Sequence, residues 1–440
     1  MSNMSSGLII AAPASGSGKT VITLGLIVAL KRAGFDVAAA KVGPDYIDPG
    51  FLSAAAGARC LNLDPWAMRP QTLSGICARL GETAPLILCE GVMGLFDGAT
   101  GGSGSTADLA SLTGWPVILV VDVRGQAASA AALARGFITF RNDIKFAGVL
   151  FNRTGGEGHC RAIRHAMEES LPEVPILGFL PRTADLALPE RHLGLVQARE
   201  HDEIGTLLDR AGNLIEDNVD LAVVEKSARP THSRQPSTST PLPPLGQHIA
   251  IARDEAFSFA YDSVLDGWRR QDAELSFFSP LADEAPDDHA DAVYLPGGYP
   301  ELHADRLAEN RHFRTGLEAA ANRAFIYGEC GGFMALGTGL IDRHGARHSM
   351  AGLLPLETSF AKPKLHLGYR RAAAKSQTPL GPVGTRFTGH EFHYSTAQHP
   401  SGNAKALFAC EDSSGIDVGT AGLVAGRVAG SFLHLIDQAQ

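Results

Sequence analysis

The sequence predicts two α/β domains, each with a doubly wound parallel sheet, joined by a linker. The 440 residues exceed the length of one average domain. Short apolar runs alternate with helix-like stretches in both halves, as expected for parallel strands that are buried on both faces. Between the halves, residues 227–246 are rich in Ser, Thr and Pro and nearly free of core residues. We therefore expect domains at residues 1–226 and 247–440.

The expected strands follow the same pattern on both sides of this linker. Before it they are residues 8–12, 37–41, 86–90, 117–122, 146–152 and 176–180. After it they are residues 249–253, 274–278, 292–296 and 324–327.

Bulk composition excludes several classes of protein. Hydrophobic residues make up 45% of the chain and charged residues 19%, which is typical of a globular protein with ample core. The net charge of −9 argues against a general nucleic-acid or anionic-membrane binder. The six cysteines are scattered without a C-x-x-C pair, which indicates reduced thiols rather than disulfides or a zinc site. Without a signal-peptide pattern or a membrane-length apolar run, the protein is expected to be cytoplasmic.

A glycine-rich loop follows the first expected strand. The segment PASGSGKT begins at Pro13, and an apolar, helix-like stretch comes after it. In such a loop the backbone around Gly16 and Gly18 cradles phosphate oxygens. Lys19 is expected to reach the terminal phosphates and Thr20 to ligate Mg²⁺. Pro13 replaces the first glycine of the usual motif, but the order of strand, loop and helix still predicts nucleotide binding over an incidental turn.

Carboxylates follow the next two expected strands. Asp45 and Asp48 lie in the segment GPDYIDP, and Glu90 and Asp97 lie in EGVMGLFDG. Because the carboxyl ends of parallel strands meet at one sheet edge, we expect Asp45 and Glu90 to join Thr20 as Mg²⁺ ligands. Asp45, Asp48 and Asp97 are also expected to contact the substrate, with turn stabilisation as the alternative for the last two.

Three further features surround this expected site. Asp122 ends the fourth strand and is either another metal ligand or a capping residue. Asn152 ends the fifth strand, and we expect it to contact the nucleotide base. The glycine-rich residues 98–104 lack dinucleotide-binding spacing and are interpreted as a flexible substrate loop.

The second domain contains the pattern of a nucleophile elbow. The segment IYGECGGF is an apolar run that ends in Gly-x-Cys-Gly-Gly, and a helix-compatible stretch follows. This predicts a sharp turn from strand to helix that presents Cys330, with glycines where a Cβ would crowd the turn. The helix N-terminus is expected to favour the thiolate of Cys330. A buried structural cysteine is the alternative.

A catalytic thiolate needs a proton carrier, and His434 in the apolar segment GSFLHL is the candidate, with a core histidine as the alternative. The segment LPGGYPE places the N–H groups of Gly297 and Gly298 at a strand end, either as an oxyanion hole or as a plain turn. His390 and His393 form an H-x-x-H pair without a clear third ligand, and we interpret them as structural or interdomain.

These motifs, in this order, resemble one family. PASGSGKT, GPDYIDP, EGVMGLFDG, PGGYPE, GECGGF and SFLHL are together similar to segments of the cobyrinate or hydrogenobyrinate a,c-diamide synthases of cobalamin (vitamin B12) biosynthesis. The resemblance covers nearly the whole chain, from Leu8 to Leu435. It implies an N-terminal synthetase domain similar in fold to dethiobiotin synthetase and a C-terminal class I-type glutamine amidotransferase domain.

The resemblance also implies roles and partners. Cys330 would be the glutaminase nucleophile and His434 its base. Many class I amidotransferases carry Glu two residues after this His, where this chain has Ile436, so a Cys–His dyad with another orienting group is implied. The implied partners are L-glutamine, ATP with Mg²⁺, and hydrogenobyrinate or cobyrinate. The a and c acetate groups of the corrinoid would be amidated one after the other through acyl phosphates. An internal ammonia route and a homodimer are left open.

Three alternatives compete with this interpretation. Cobyric acid synthase shares both domain types but amidates other side chains and is usually longer. A ParA/MinD-like ATPase carries a lysine near the loop start, where this chain has Ala14, and has no elbow-cysteine domain. A regulatory protein with an inactive amidotransferase domain is disfavoured by Cys330 together with His434.

Overall fold

The computed structural model describes residues 5–183, 186, 190–191, 194–195, 203–232, 239–398 and 403–439. The chain divides into two compact units, Met1–Trp66 with Pro70–Thr238, and Ala67–Arg69 with Ser239–Gln440. None of the helices in the described part of the chain has the length and apolar character to cross a bilayer.

The first unit alternates strands with helices. Its strands are β1 (Ser6–Ala11), β2 (Val37–Val42), β3 (Leu61–Leu63), β4 (Leu86–Glu90), β5 (Val117–Asp122), β6 (Phe146–Thr154), β7 (Ile176–Pro181), β8 (Glu190–Arg191), β9 (Gly194–Leu195) and β10 (Arg229–Pro230). Its helices are α1 (Lys19–Arg32), α2 (Asp48–Ala56), α3 (Pro70–Thr83), α4 (Thr106–Thr113), α5 (Ser129–Phe140), α6 (Glu157–Ser170), α7 (Ile204–Asn218) and α8 (Leu221–Ser227).

Seven strands of the first unit form a parallel sheet in the order β3-β2-β4-β1-β5-β6-β7, and β10 pairs antiparallel with β1. The central strand β1 is buried from Leu8 to Ala11, as its continuous apolar sequence requires. The strand order reverses at β1, because β4 lies on one side and β5 on the other. Ligands of such sheets bind at this point, beyond the carboxyl ends of the strands.

The second unit contains more strands than helices. Its strands are β11 (His248–Ala252), β12 (Glu274–Phe278), β13 (Ala292–Leu295), β14 (Phe325–Glu329), β15 (Gly339–Ile341), β16 (Arg347–Ser349), β17 (Glu357–Ser359), β18 (His366–Ala374), β19 (Arg386–His393), β20 (Thr396–Gln398), β21 (Lys405–Asp412), β22 (Asp417–Ala425), β23 (Val428–Ser431) and β24 (Leu433–Gln438). Its helices are α9 (Asp262–Arg269), α10 (Ala304–Glu309), α11 (Arg311–Ala321) and α12 (Gly331–Leu336).

The main sheet of this unit runs in the order β12-β11-β13-β14-β23-β22-β21-β18-β19-β24. The first five strands are parallel, and every pairing from β23 onward is antiparallel. A cluster that includes Phe257, Phe313 and Phe333 forms part of the core around the parallel half. The carboxyl ends of β13 and β14 therefore meet at one edge of a rigid sheet.

The predicted α/β class is confirmed in both units, and the ten expected strands agree with observed strands to within two residues. The strands β15–β22, most of whose pairings are antiparallel, were not predicted. The expected linker, residues 227–246, includes β10 as well as the buried Leu242 and Leu245, and residues 233–238 lie outside the described part of the chain. The domain boundaries stay a prediction.

Candidate active sites

The phosphate loop of the first unit connects β1 to α1. Gly16 and Gly18 have φ values of 76° and 91°, a left-handed conformation that suits glycine. A Cβ at Gly18 would overlap the amide of Asn152. That amide donates a hydrogen bond of 2.9 Å to the carbonyl of Ser17. Asn152, expected to contact the nucleotide base, thus braces the loop from β6.

Lys19 begins α1 and is buried. Its Nζ donates to the carbonyl of Met93 at 2.7 Å, so the side chain is held toward the segment that follows β4. Met93 itself has a φ of 48°, which is uncommon for a residue with a side chain. Burial lowers the pKa of Lys19, although the charge of Glu90 raises it. A phosphate group would restore a counter-charge to this buried ammonium group.

Glu90 ends β4 and is fully buried beside the loop. The hydroxyl of Thr20 donates to its Oε1 at 2.7 Å, and Nζ of Lys41 lies 3.2 Å from the same oxygen. Among the described residues the buried Oε2 has no hydrogen-bond partner. Burial raises the pKa of Glu90 to about 7, although Lys41 lowers it. An oxygen of this kind fits a metal ligand, because an unsatisfied buried carboxylate oxygen is otherwise costly.

Lys41 connects the carboxylates that the sequence predicted. Its Nζ lies 2.5 Å from Asp48 Oδ2 and 4.0 Å from Asp45 Oδ2. Burial alone would lower the pKa of Lys41, but Glu90, Asp48 and Asp45 outweigh it and raise the pKa well above its usual range. Sequence reasoning assigned Lys41 no role, although it is the last residue of an expected strand and lies in register with Glu90 on β4. Its position at the end of an expected strand was the signal in the sequence that could have indicated a role at this site.

Asp45 is both a loop-forming residue and a member of this charge cluster. Its Oδ1 accepts hydrogen bonds from the N–H groups of Ile47 and Asp48, at 2.8 and 3.1 Å, and so shapes the start of α2. Burial, then the neighbouring Asp48, raises the pKa of Asp45 to about 6. Thr20, Glu90 and Asp45 thus offer oxygen atoms around Lys41, and this donor set fits Mg²⁺.

The two remaining carboxylates contact the backbone or arginines. Asp97 Oδ2 accepts a hydrogen bond of 2.9 Å from the N–H of Gly94, the turn-stabilising arrangement that the sequence left open. Asp122 pairs with Arg153 at 2.6 Å, and Arg153 also donates to the carbonyl of Gly16 at 2.7 Å. Asp122 therefore supports the phosphate loop indirectly.

The second unit contains the elbow geometry that the sequence predicted. Cys330 lies between β14 and α12 with a φ of 46°, a strained conformation that costs roughly 1–3 kcal/mol. Its N–H donates to the carbonyl of Ser431 on β23 at 2.8 Å. A Cβ at Gly332 would overlap the carbonyl of Leu295, so the helix can approach β13 only with glycine there. These contacts hold the strained Cys330 at the edge where β13 and β14 end.

The expectation that the helix N-terminus favours the thiolate of Cys330 stays a prediction. Cys330 is buried, with Sγ 3.7 Å from the carbonyl of Phe392. Burial, then the charge of Glu301, raises the pKa of the Cys330 thiol well above its usual range. The N–H of Gly331, which begins α12, lowers this pKa in the expected direction, but burial outweighs it. The thiol must lose its proton to a neighbouring base.

His434 is the buried histidine that the sequence proposes as this base. A Cβ at Gly297 would overlap its ring, so the turn after β13 packs directly on the imidazole. Burial, then His390 and His393, lowers the pKa of His434 to about 3, and the ring is neutral at physiological pH. A neutral imidazole can accept a proton from a thiol.

The backbone nitrogen of Gly298 lies beside the elbow, because a Cβ at Gly331 would lie 3.0 Å from it. Gly298 cannot carry a side chain without overlapping the carbonyl of Ala256. The turn of Gly297 and Gly298 is thus packed between the elbow and His434, where an oxyanion-binding N–H is required.

Glu329 is a residue that sequence reasoning missed. It immediately precedes Cys330, and its Oε2 lies 3.9 Å from Nδ1 of His434. The hydroxyl of Tyr294 donates to Oε2 at 2.8 Å, and the N–H of Leu435 donates to Oε1 at 3.1 Å. Burial raises its pKa to about 7. Glu329 is therefore placed to orient His434, the role left unassigned because Ile436 is buried and apolar. Its position beside Cys330 was the only sequence signal.

Together, a phosphate-loop sheet with a buried carboxylate cluster and a second sheet with an elbow cysteine and a histidine define a class: nucleotide-binding amidotransferases with a glutaminase domain. Family models agree, matching residues 8–196 to the CobQ/CobB/MinD/ParA nucleotide binding domain and residues 248–440 to the CobB/CobQ-like glutamine amidotransferase domain.

Curated relatives match along the full length. The chain is 52% identical over 434 residues to the hydrogenobyrinate a,c-diamide synthase of Brucella anthropi, with 98% of each chain covered. It is 51% identical to the enzyme of that name from Rhizobium meliloti, over 98% of this chain and 99% of the relative. It is 47% identical to the enzyme of that name from Mesorhizobium japonicum, over 98% of each chain. The chain belongs to the hydrogenobyrinate a,c-diamide synthase family, and the family predicted from its motifs is confirmed.

Proposed function

We propose that this protein uses ATP and glutamine to amidate the a and c acetate side chains of hydrogenobyrinate in cobalamin biosynthesis. The observation that carries the proposal is a sequence identity of 52%, over 98% of the chain, to a synthase named for this reaction. The chain also contains both the phosphate-loop site and the elbow-cysteine site. Hydrogenobyrinate is preferred over cobyrinate because the relatives are named for it.

Glutamine hydrolysis would take place in the second unit. The Cys330 thiol gives its proton to His434 as Sγ attacks the side-chain amide of glutamine. The N–H of Gly298 supports the oxyanion, and Glu329 positions the imidazolium that forms. His434 then gives the proton to the departing ammonia. Water, activated by the same ring, cleaves the thioester and releases glutamate.

Amide formation would take place in the first unit. A bare carboxylate is a poor electrophile, so the γ-phosphoryl group of ATP is first transferred to the acetate oxygen to give an acyl phosphate and ADP. Ammonia then attacks the acyl carbon, and phosphate leaves. Lys19 and the loop N–H groups hold the phosphates in line. Thr20, Asp45 and Glu90 supply the oxygen ligands for Mg²⁺, whose charge, when bound, offsets that of the phosphates.

Substrate binding belongs to the loops beside these groups. Asp45, Asp48 and Asp97 border the carboxyl ends of β2 and β4, and in this proposal they position the reacting acetate. Asn152 holds the phosphate loop in shape. The reaction uses ATP and free glutamine, which supports a cytoplasmic location without a nucleic-acid or membrane partner. Homodimerisation stays a prediction.

The deciding experiment incubates the purified protein with ATP, Mg²⁺ and glutamine and with either hydrogenobyrinate or cobyrinate. Mass spectrometry of the corrinoid should find a diamide formed faster from hydrogenobyrinate. Fragmentation that places the new amides on side chains other than a and c would favour a cobyric acid synthase instead. No amide from either corrinoid would refute the proposal.

A further inference from the structure

Two imidazoles and one carboxylate cluster on the β18–β19 pair. His366 begins β18 and faces His393, which ends β19, as a register partner. Glu391 precedes His393 by two residues and therefore lies on the same face of the strand. One ligand atom from each of the three residues lies within 4.8 Å of the other two. Of the H-x-x-H pair that lacked a third ligand in sequence, His393 acquires two other ligands from the fold, while His390 lies on the opposite face of the strand.

The contacts of His393 leave its Nε2 beside the carboxylate. Its Nδ1 lies 3.1 Å from both the carbonyl oxygen and the hydroxyl oxygen of Ser395. Its Nε2 lies 3.1 Å from Glu391 Oε1. Either ring nitrogen can carry the hydrogen, because the Ser395 hydroxyl can donate to Nδ1 or accept from it. When Nδ1 carries the hydrogen, Nε2 has a lone pair for a metal ion that Glu391 also binds.

The surroundings orient Glu391 and His393. The ring of His393 stacks on His366 at 4.6 Å between centroids with the planes 5° apart, so the partly buried His366 turns out of this stack when both imidazoles direct a nitrogen at one ion. Arg370 Nη2 lies 2.6 Å from Glu391 Oε2 and so leaves Oε1 directed toward the cluster. Phe432 packs on the ring of His393 at 3.9 Å between centroids. Outer partners of this kind, which hold carboxylate and imidazole ligands in place, are typical of metal sites.

We propose that His366, Glu391 and His393 form a Zn²⁺ site with water in the fourth position. Two imidazoles with one carboxylate are a ligand set of open zinc sites, and imidazole favours zinc over magnesium. None of these three residues is among the Mg²⁺ ligands proposed in the first unit.

The position links the site to the glutaminase residues, a consequence that rests on the proposed function. Phe392, between Glu391 and His393, carries the carbonyl 3.7 Å from Cys330 Sγ. Phe432, which packs on His393, is two residues before His434. A dication here opposes protonation of His434, so zinc should slow glutamine-dependent amidation and spare ammonia-dependent amidation.

The test uses the full chain with Cys330→Ser, which removes the nearby sulfur atom as a competing ligand. Zn²⁺ is titrated by calorimetry, and Co²⁺ is titrated by its visible absorption as a reporter of ligand geometry. We expect a single ion per chain, and binding at least about tenfold weaker in His366→Ala and in His393→Ala. His390→Ala is the matched control and should bind as tightly as its parent.

The proposal is overturned if no stoichiometric metal binds, if His366→Ala binds unchanged, or if His390→Ala weakens binding as much as His366→Ala does. His366 is only partly buried, so its variant should fold, and circular dichroism checks this. Because binding is measured without ATP or corrinoid, its failure is distinguishable from failure of the proposed amidation.

Discussion

Lys41 is the residue whose replacement most directly tests the charge cluster of the first unit. Its ammonium group lies 2.5, 3.2 and 4.0 Å from oxygens of Asp48, Glu90 and Asp45, and its side chain is 3% exposed. Lys41→Met keeps the length and removes the charge. Removing one partner of a buried ion pair typically costs about 3–5 kcal/mol, because the remaining charges are left buried without compensation. We expect a loss of this size in the free energy of unfolding.

The loss should depend on pH in a defined direction. Without Lys41, the pKa of Glu90 rises beyond its value of about 7, further above that of the unfolded chain. The native state then binds more protons than the unfolded state, so stability falls as pH rises through this range. Lys41→Met should therefore be more destabilised at pH 8 than at pH 6.

Hydrogen exchange by mass spectrometry measures this loss of stability locally, on peptides that contain β2 and β4. Lys145→Met, at an exposed position in the same unit, is the control and should change stability by less than about 0.5 kcal/mol. The double variant Lys41→Met/Glu90→Gln should lose less than the sum of the two single losses. Protection in Lys41→Met equal to that of Lys145→Met would refute the reasoning.

Three further predictions concern the two sites. In titrations of ammonia-dependent amidation with Mg²⁺, the half-saturating Mg²⁺ concentration should rise as pH falls below about 7, because Glu90 takes up a proton there. Glu90→Gln should abolish this pH dependence. An unchanged pH dependence in that variant would contradict metal ligation by Glu90. Glu329→Gln should lower glutaminase kcat by about 10²-fold, less than the roughly 10⁴-fold typical of a hydrogen-bonded orienting carboxylate, since it lies 3.9 Å from His434. An unchanged kcat would exclude that role. Gly332→Ala should abolish glutaminase activity by displacing the elbow from Leu295, whereas the helical Gly136→Ala, with open space around it, should not; equal activity in both would contradict the packing argument.

Strands buried on both faces were predictable because their sequence is continuously apolar. β5 is an example, buried from Val117 to Val121 and predicted residue for residue. β22 was not predictable in this way, because it is glycine-rich and largely exposed along its first half. Its pairing with β21 and β23 is a property of the antiparallel sheet rather than of its own composition.

Some parts of the candidate sites were predictable from the sequence and others were not. The phosphate loop and the elbow are local patterns, in which glycines, strand and helix are contiguous, and both were predictable from the sequence. Lys41, Glu329 and His366 each have a partner that is distant in the chain. Strand register brings Lys41 to Glu90 and His366 to His393, and the packing of β14 near β24 brings Glu329 to within 3.9 Å of His434. The raised pKa of Cys330 was also beyond sequence reasoning, since it depends on burial by several elements.

The central claim is that one unit releases ammonia and the other forms the amide. Its most direct measurement compares Cys330→Ala and Lys19→Ala with the unmodified protein, using hydrogenobyrinate, ATP and either glutamine or ammonium chloride, with corrinoid products read by mass. Cys330→Ala should form the diamide from ammonia at the normal rate and none from glutamine. Lys19→Ala should form none from either source and still hydrolyse glutamine. Loss of both nitrogen sources in Cys330→Ala, or amide formation from glutamine without the thiol, would contradict the account.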